Sequence, residues 1–294
     1  MTKISGIFAA TMSVINPDLS LNIEKTINHA ESLIDQGCHG TAIFGSTGQA
    51  QLISISEKID LLNLLSNSKY KDKHLIGTGL NSLAETINFM KIATSLKFYN
   101  FLVMPPAYYN YEDEEVIKFY TKIVETIPES KIILYNFEKL CGYKFSLDCV
   151  KELVKRFPNQ IIGVKDSSYN LYENLNLENF SIFPGSELKL LRGLQLGCSG
   201  IITATCNVTA ELSRKVYDDF FAGKEQTLNQ KLCDVRSSFD KFNLISGLHS
   251  FLAKENEIYK NILPPLRLLN EDEEKVLFNE LKNLNFNLSS PKAA

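Results

Sequence analysis

Lys165 closes the run Ile161–Lys165, whose β-branched and small residues read as a strand covered on both faces. A lysine there has two readings. Its stem packs on apolar neighbours while the ammonium snorkels to water. Or the amine is held in a pocket, where loss of solvent disfavours the charged form and leaves a nucleophile. Upstream, the run Lys131–Tyr135 has a similar make-up and ends in a phenol. If the two runs are neighbouring strands, Tyr135 and Lys165 stand side by side at one rim. That pairing suits imine chemistry: the lysine attacks a ketone carbon, and the tyrosine moves protons during dehydration and a later carbon–carbon step. Tyr135 also has a plainer reading, as a core tyrosine with a wet hydroxyl.

Other short runs end in residues of chemical interest. The stretch GSTGQ (Gly45–Gln49) carries glycines that let backbone N–H groups approach a ligand, and two hydroxyls, Ser46 and Thr47, as further donors. With Gly48 this loop can hold a carboxylate without a positive charge; it also reads as an ordinary glycine-rich turn. PPAYYNY supplies Tyr108, Tyr109 and Tyr111, PGSE supplies Glu187, and the last run supplies Thr203 and Thr205.

The elements that must position these groups alternate regularly. Short apolar runs at Gly6–Met12, Gly40–Phe44, His74–Gly79, Phe101–Met104, Lys131–Tyr135, Ile161–Lys165, Ser181–Phe183 and Gly200–Thr205 read as strands. Between and after them, helical spacing is expected over 22–36, 56–68, 82–96, 113–126, 146–156, 170–177, 187–196 and 209–222. Ser54 with Glu57 is a capping-box signature. Eight strand–helix units without a hairpin signal predict an α/β protein, a (βα)8 TIM barrel, with its reactive groups at the C-terminal ends of the strands. An open doubly wound sheet would want a glycine-rich phosphate loop after the first strand, and residues 6–20 have none. The barrel is expected over 1–222, with 223–294 as a helical extension of the same domain.

Composition narrows the function. A net charge of −3 and a pI near 5.9, without a basic stripe, argue against nucleic-acid or anionic-membrane partners. No apolar run approaches the ~20 residues that cross a bilayer. The segment MTKISGIFAATMS is too short in its apolar part for a signal peptide, so a cytoplasmic protein is expected. The six cysteines lack a CxxC pair and read as reduced core thiols. None of the four histidines forms an HxH or HxxxH pair, so no catalytic metal is expected.

The motifs GSTGQ, YYN, YN…CG, GVKDSS and GSE, in this order along nearly the whole chain, resemble the dihydrodipicolinate synthase/N-acetylneuraminate lyase family. The resemblance implies a barrel with C-terminal helices, a pyruvate imine on Lys165 in place of a cofactor, and a homotetramer built as a dimer of dimers. Lys165 matches the Schiff-base lysine, Tyr135 the proton-shuttling tyrosine, and Ser46 and Thr47 the pair that binds the pyruvate carboxylate and relays protons, which makes Thr47 an expected catalytic residue. Tyr109 matches a tyrosine that reaches into a neighbouring active site. The chain also departs from the pattern. YNFEKLCG has Glu138 where the family motif has proline, and Leu140 where the synthase branch carries an arginine that clamps aspartate semialdehyde. Gln49 replaces the usual glutamate. Leucine at 140 and the GST loop resemble sialic-acid lyases, whereas GIITATCNV resembles the synthases. These features lead to the expectation of a class I lyase or aldolase acting on a 2-keto-3-deoxy sugar acid or sialic-acid-like compound, with Glu187 and Thr203 in its substrate site. The alternatives are 4-hydroxy-tetrahydrodipicolinate synthase and, motivated by the altered loop, a non-catalytic keto-acid-binding barrel.

Overall fold

The computed structural model describes residues 3–287. Eight parallel strands form a nearly closed TIM barrel: β1 (Gly6–Ala10), β2 (Gly40–Ile43), β3 (His74–Gly77), β4 (Asn100–Val103), β5 (Lys131–Asn136), β6 (Ile161–Asp166), β7 (Ser181–Pro184) and β8 (Gly200–Thr203). From β1 to β7 each strand pairs with the next in sequence, and β1 also pairs with β8. A hydrogen bond from Ser199 N to Ile182 O, 2.8 Å, links β7 to the approach of β8. The helices are α1 (Ile23–Asp35), α2 (Ile55–Leu65), α3 (Leu83–Ser95), α4 (Asp113–Thr126), α5 (Glu138–Cys141), α6 (Leu147–Arg156), α7 (Leu190–Gln195), α8 (Cys206–Phe221), α9 (Asn229–Asp240), α10 (Leu244–Ala253) and α11 (Glu271–Asn283). Asn22, Ser54, Ser82 and Ser146 cap α1, α2, α3 and α6 through side-chain oxygens, and Ser54 with Glu57 completes the expected capping box.

The barrel is filled by alternate residues of its strands. Phe8, Ala10, Ala42, Leu75, Leu102, Ile133, Tyr135, Phe183 and Ile202 form one buried cluster, while Ile7, Ala9 and Ile201 face the outer helices. One irregularity decides where the lysine points. Ile132 pairs with Ile161, but Ile133 pairs with Gly163, so β6 holds one extra residue. Ile132 and Ile161 both belong to the outer core, and strict alternation from Ile161 would send Lys165 outward as well. Past the bulge Gly163 and Lys165 share the face of Ile133 and Tyr135, which is the barrel interior. A side chain at Gly163 would meet Ser181 O at 2.5 Å, so the strand approaches its neighbour too closely for any other residue.

Three local expectations change. Residues 170–177 form turns rather than a helix, because the Asp166 carboxylate accepts N–H bonds from Tyr169, Leu171 and Tyr172 and holds the chain in a compact loop over buried Leu171 and Leu175. Residues 187–196 split into a 3₁₀ turn (Glu187–Lys189) followed by α7. The helix after β8 begins at Cys206, ahead of residue 209, and is kinked at Thr209.

The extension packs on the barrel. Val235, Phe239, Leu248, Phe251, Leu277 and Leu281 bury against Met12, Val14 and Val208, which lie just beyond the C-terminal ends of β1 and β8. Residues 288–294 of the expected extension lie outside the described residues. No described helix is long and apolar enough to cross a membrane.

Candidate active site

Tyr135 and Lys165 are register partners on β5 and β6 and are 4% and 3% exposed. The lysine Nζ sits 4.2 Å from the centroid of the Tyr135 ring. Among the described residues it makes no ion pair and no hydrogen bond, so its nitrogen is free for another use. The Tyr135 hydroxyl lies 3.0 Å from Ser46 Oγ. This brings together three of the groups expected from the sequence.

The loop after β2 is built around tight backbone contacts. Phe44 and Gln49 have φ of 60° and 55°. Ser13 Oγ donates to Gly48 O at 2.7 Å, and a Cβ at Gly48 would meet Thr11 O at 2.8 Å. Gly48 is therefore a packing glycine. Neither the N–H groups of Ser46 and Thr47 nor the Thr47 hydroxyl is hydrogen-bonded among the described residues. Unpaired donors of this kind are the groups that recognition of a small carboxylate requires.

Glu187 and Thr203 are placed differently from the expectation. Glu187 is fully buried, and its oxygens accept from Thr203 Oγ1 (2.8 Å), Thr209 Oγ1 (3.1 Å) and Arg236 Nη1 (3.0 Å). Arg236 also donates to Thr203 and, through Nε, to Asp240. A buried carboxylate must find a counter-ion, and here the extension supplies it. Glu187 and Thr203 thus tie α9 to the barrel through Arg236. Tyr109 is 66% exposed; its ring meets Tyr108 edge-on at 5.2 Å, and no hydrogen bond joins it to Ser46, Tyr135 or Lys165.

A cavity of about 340 Å3 opens beside Ser46 and Tyr135. Leu140, 43% exposed on α5, lines it together with Leu102 and Met104. Ile245, Pro265 and Leu266 close it from the extension. Among the described residues no group of three or more metal-ligating side chains occurs.

Comparison with known proteins bears on the family and the fold. A model of the dihydrodipicolinate synthetase family matches residues 3–284. The chain belongs to the dihydrodipicolinate synthetase family. An uncharacterized DapA-like lyase of Chloroflexus aurantiacus is 27% identical over 282 residues, covering 92% of this chain and 94% of that protein. A 4-hydroxy-tetrahydrodipicolinate synthase of Karelsulcia muelleri is 26% identical over 299 residues, with 97% and 99% covered. The fold matches that of YagE, a prophage protein of E. coli K12 solved in complex with pyruvate, at a TM-score of 0.87 and 21% identity, with 97% and 100% covered.

The positions that set this family member apart have physical roles. Glu138, in the place of a proline, opens α5, and its N–H donates to Ser168 Oγ at 2.9 Å, a bond a proline could not make. Gln49 accepts from Leu263 N (2.8 Å), so its amide nitrogen faces His249 Nε2 (3.1 Å) as the donor. His249 then carries its proton on Nδ1, 2.9 Å from Tyr259 O. The Tyr259 hydroxyl meets His29 Nδ1 (2.8 Å), and His29 Nε2 meets Asn207 Oδ1 (2.8 Å). A carboxylate at position 49 could not donate to His249. Burial holds both histidines neutral, with pKa values lowered to about 4. Sequence reading missed Arg236, His249, Asp166 and the roof residues. Only the KDSS of GVKDSS pointed toward Asp166, whose role shows in the loop it organises.

Proposed function

We propose that the protein is a class I lyase or aldolase that forms an imine between Lys165 and pyruvate and makes or breaks a carbon–carbon bond to an aldehyde. The observation that carries this reading is a buried lysine with no counter-ion among the described residues, packed on a tyrosine whose hydroxyl is bonded to Ser46 in a loop with free N–H donors. The Ser46 and Thr47 donors hold the pyruvate carboxylate. The Lys165 amine adds to the keto carbon, and loss of water gives the imine. Removal of a methyl proton gives an enamine, whose carbon adds to the aldehyde; the new alkoxide takes a proton, and hydrolysis frees the product and the lysine. Cleavage runs the same steps backward. Tyr135, with Ser46, is the proton carrier in each direction.

Leu140 bears on the second substrate. Aspartate semialdehyde carries a carboxylate and an ammonium, and a leucine offers neither charge nor hydrogen bonds to them. Cleavage of a 2-keto-3-deoxy sugar acid or sialic-acid-like compound releases pyruvate and an aldehyde without charge, which asks for no counter-ion at this position. The synthase reading keeps its support from the Karelsulcia relative's name. A cytoplasmic homotetramer, with exposed Tyr109 reaching a neighbouring site and no cofactor beyond the covalent imine, belongs to the same proposal. Light scattering that gave a monomer at micromolar concentration would remove the assembly.

Borohydride trapping with pyruvate, read by intact mass and peptide mapping beside Lys165→Ala, tests the chemistry. The expected result is a reduced pyruvyl adduct on Lys165 that vanishes in the variant. A well-folded protein without the adduct would leave the non-catalytic keto-acid-binding barrel in its place.

A further inference from the structure

Resting on the pyruvate-imine reading, we infer that the aldehyde partner at this site is uncharged and carries an apolar alkyl or aryl substituent, seated against Leu140, Leu102 and Met104 under Ile245 and Leu266. Two sets of observations carry this. The first is the lining of the cavity. Phe44, Ala50, Leu52, Leu102, Met104, Leu140, Ile245, Pro265 and Leu266 outnumber its polar side chains, and no Asp, Glu, Lys or Arg is among them. An ionised substituent would lose its hydration there without a partner.

The second is how the polar lining groups are used. Ser46 is bonded to Tyr135. Gln49 has its oxygen on Leu263 N and its nitrogen on His249. Asn243 Oδ1 accepts from Ile245 N and Ser246 N as the cap of α10. Gln51 stands at the exposed rim. Glu187 and Thr203, which could have held hydroxyls, are bound to each other and to Arg236. Asn243 Nδ2 and the Gln51 amide are the side-chain amide groups of this lining left without a bond among the described residues, so a chain of hydroxyls would leave water for a surface that offers it few free partners. An apolar substituent of matching size meets no such cost and gains from leaving water.

The reaction needs no further reagent. The methyl carbon of pyruvate, as the enamine, bonds to the aldehyde carbon. The proton lost from that methyl is matched by the one gained at the new hydroxyl, and the water released on forming the imine is returned on its hydrolysis. The product is a 4-hydroxy-2-oxo acid with an apolar tail.

The test uses the full chain, pyruvate at saturation, and a panel of 3-methylbutanal, benzaldehyde, D-glyceraldehyde, N-acetylmannosamine and aspartate semialdehyde. Product formation is followed by mass spectrometry, and borohydride trapping with pyruvate alone is run in parallel. An apolar aldehyde is expected to exceed each of the last three in kcat/KM by roughly 10- to 100-fold, the range over which an apolar pocket rejects added polar groups. In Leu140→Arg, the ratio of kcat/KM for 3-methylbutanal over succinic semialdehyde should fall at least about tenfold, because the guanidinium pairs with the carboxylate. If the adduct forms on Lys165 but a polyol or charged aldehyde is preferred, or that ratio is unmoved, the inference is wrong and the imine stands. If no adduct forms, both fall.

Discussion

Two lysines are buried near the mouth of this barrel, and their nitrogens are held in opposite ways. Lys58, on α2, is fully buried; its Nζ donates to Thr78 O at 3.0 Å and Gly79 O at 3.4 Å, and sits 5.8 Å from the Phe44 ring. Burial lowers its pKa to about 8, against the raising effect of the Glu85 carboxylate. Lys165 lies inside the barrel on β6 with the Tyr135 ring against its nitrogen and, among the described residues, no hydrogen bond or ion pair. Burial alone therefore does not mark a nucleophile. What separates the two is whether the nitrogen already has partners: Lys58 ties a helix to the exit of β3, while Lys165 has no hydrogen bond or ion pair among the described residues and lies beside the Tyr135 ring.

The largest expected effect breaks this pair at Lys165. Lys165→Ala should lower any pyruvate-dependent turnover by at least about 10³-fold, since the covalent route is lost, and should leave the urea midpoint close to that of the parent. A variant that kept more than a tenth of the activity would end the distinction. Tyr135→Phe comes next. It keeps the ring beneath Lys165 and removes the hydroxyl bonded to Ser46, so kcat should drop about 10²- to 10⁴-fold while pyruvate still forms a trappable, slower adduct. Loss in KM alone would mean that Tyr135 only binds.

A third experiment reaches the polar chain between barrel and roof. His29 and His249 have pKa values lowered by burial to about 4, as does His74, against an ordinary 6.5. The unfolded chain therefore binds more protons between pH 6.5 and 4. Stability conferred by the neutral imidazoles is complete above 6.5 and is lost as pH falls toward 4, by on the order of 3 kcal/mol per histidine at the acid end. Urea midpoints at pH 7, 5.5 and 4.5 should decline steeply. A flat profile would mean that the imidazoles are not held neutral as the Gln49–His249 and His29–Asn207 bonds require.

These cases also show which features a sequence exposes. The alternation of strands and helices was legible because each element buries one face, and Tyr135 and Lys165 could be placed at one rim because parallel neighbours share register. The bulge at Ile162 was not legible: Ile161, Ile162 and Val164 are apolar whichever way they face, so nothing local shows that one residue is extra. The Arg236–Glu187 pair joins distant segments, and neither residue stands in a pattern that names the other. The loss of the expected helix at 170–177 came from Asp166 capturing three backbone N–H groups, a tertiary competitor that helical periodicity does not register.

The smallest expected effect is at the unreactive lysine, and it sharpens the comparison most. At pH 7, Lys58→Met removes a buried charge, which favours the variant, and leaves the Thr78 and Gly79 carbonyls without their donor, which costs about 1–3 kcal/mol. The two terms oppose, so the urea midpoint should move by no more than about 1 kcal/mol in free energy. Pyruvate trapping at Lys165 should persist. The pH dependence separates the terms. With Lys58 lowered to about 8 in the fold against an ordinary 10.5, the unfolded chain holds more protons between those values, and stability contributed by this group rises as pH climbs through that window. Lys58→Met should abolish that rise. A variant that kept the rise would place its origin elsewhere, and one that lost the pyruvate adduct would make Lys58 part of the site and erase the division between a lysine that holds the barrel and a lysine that reacts.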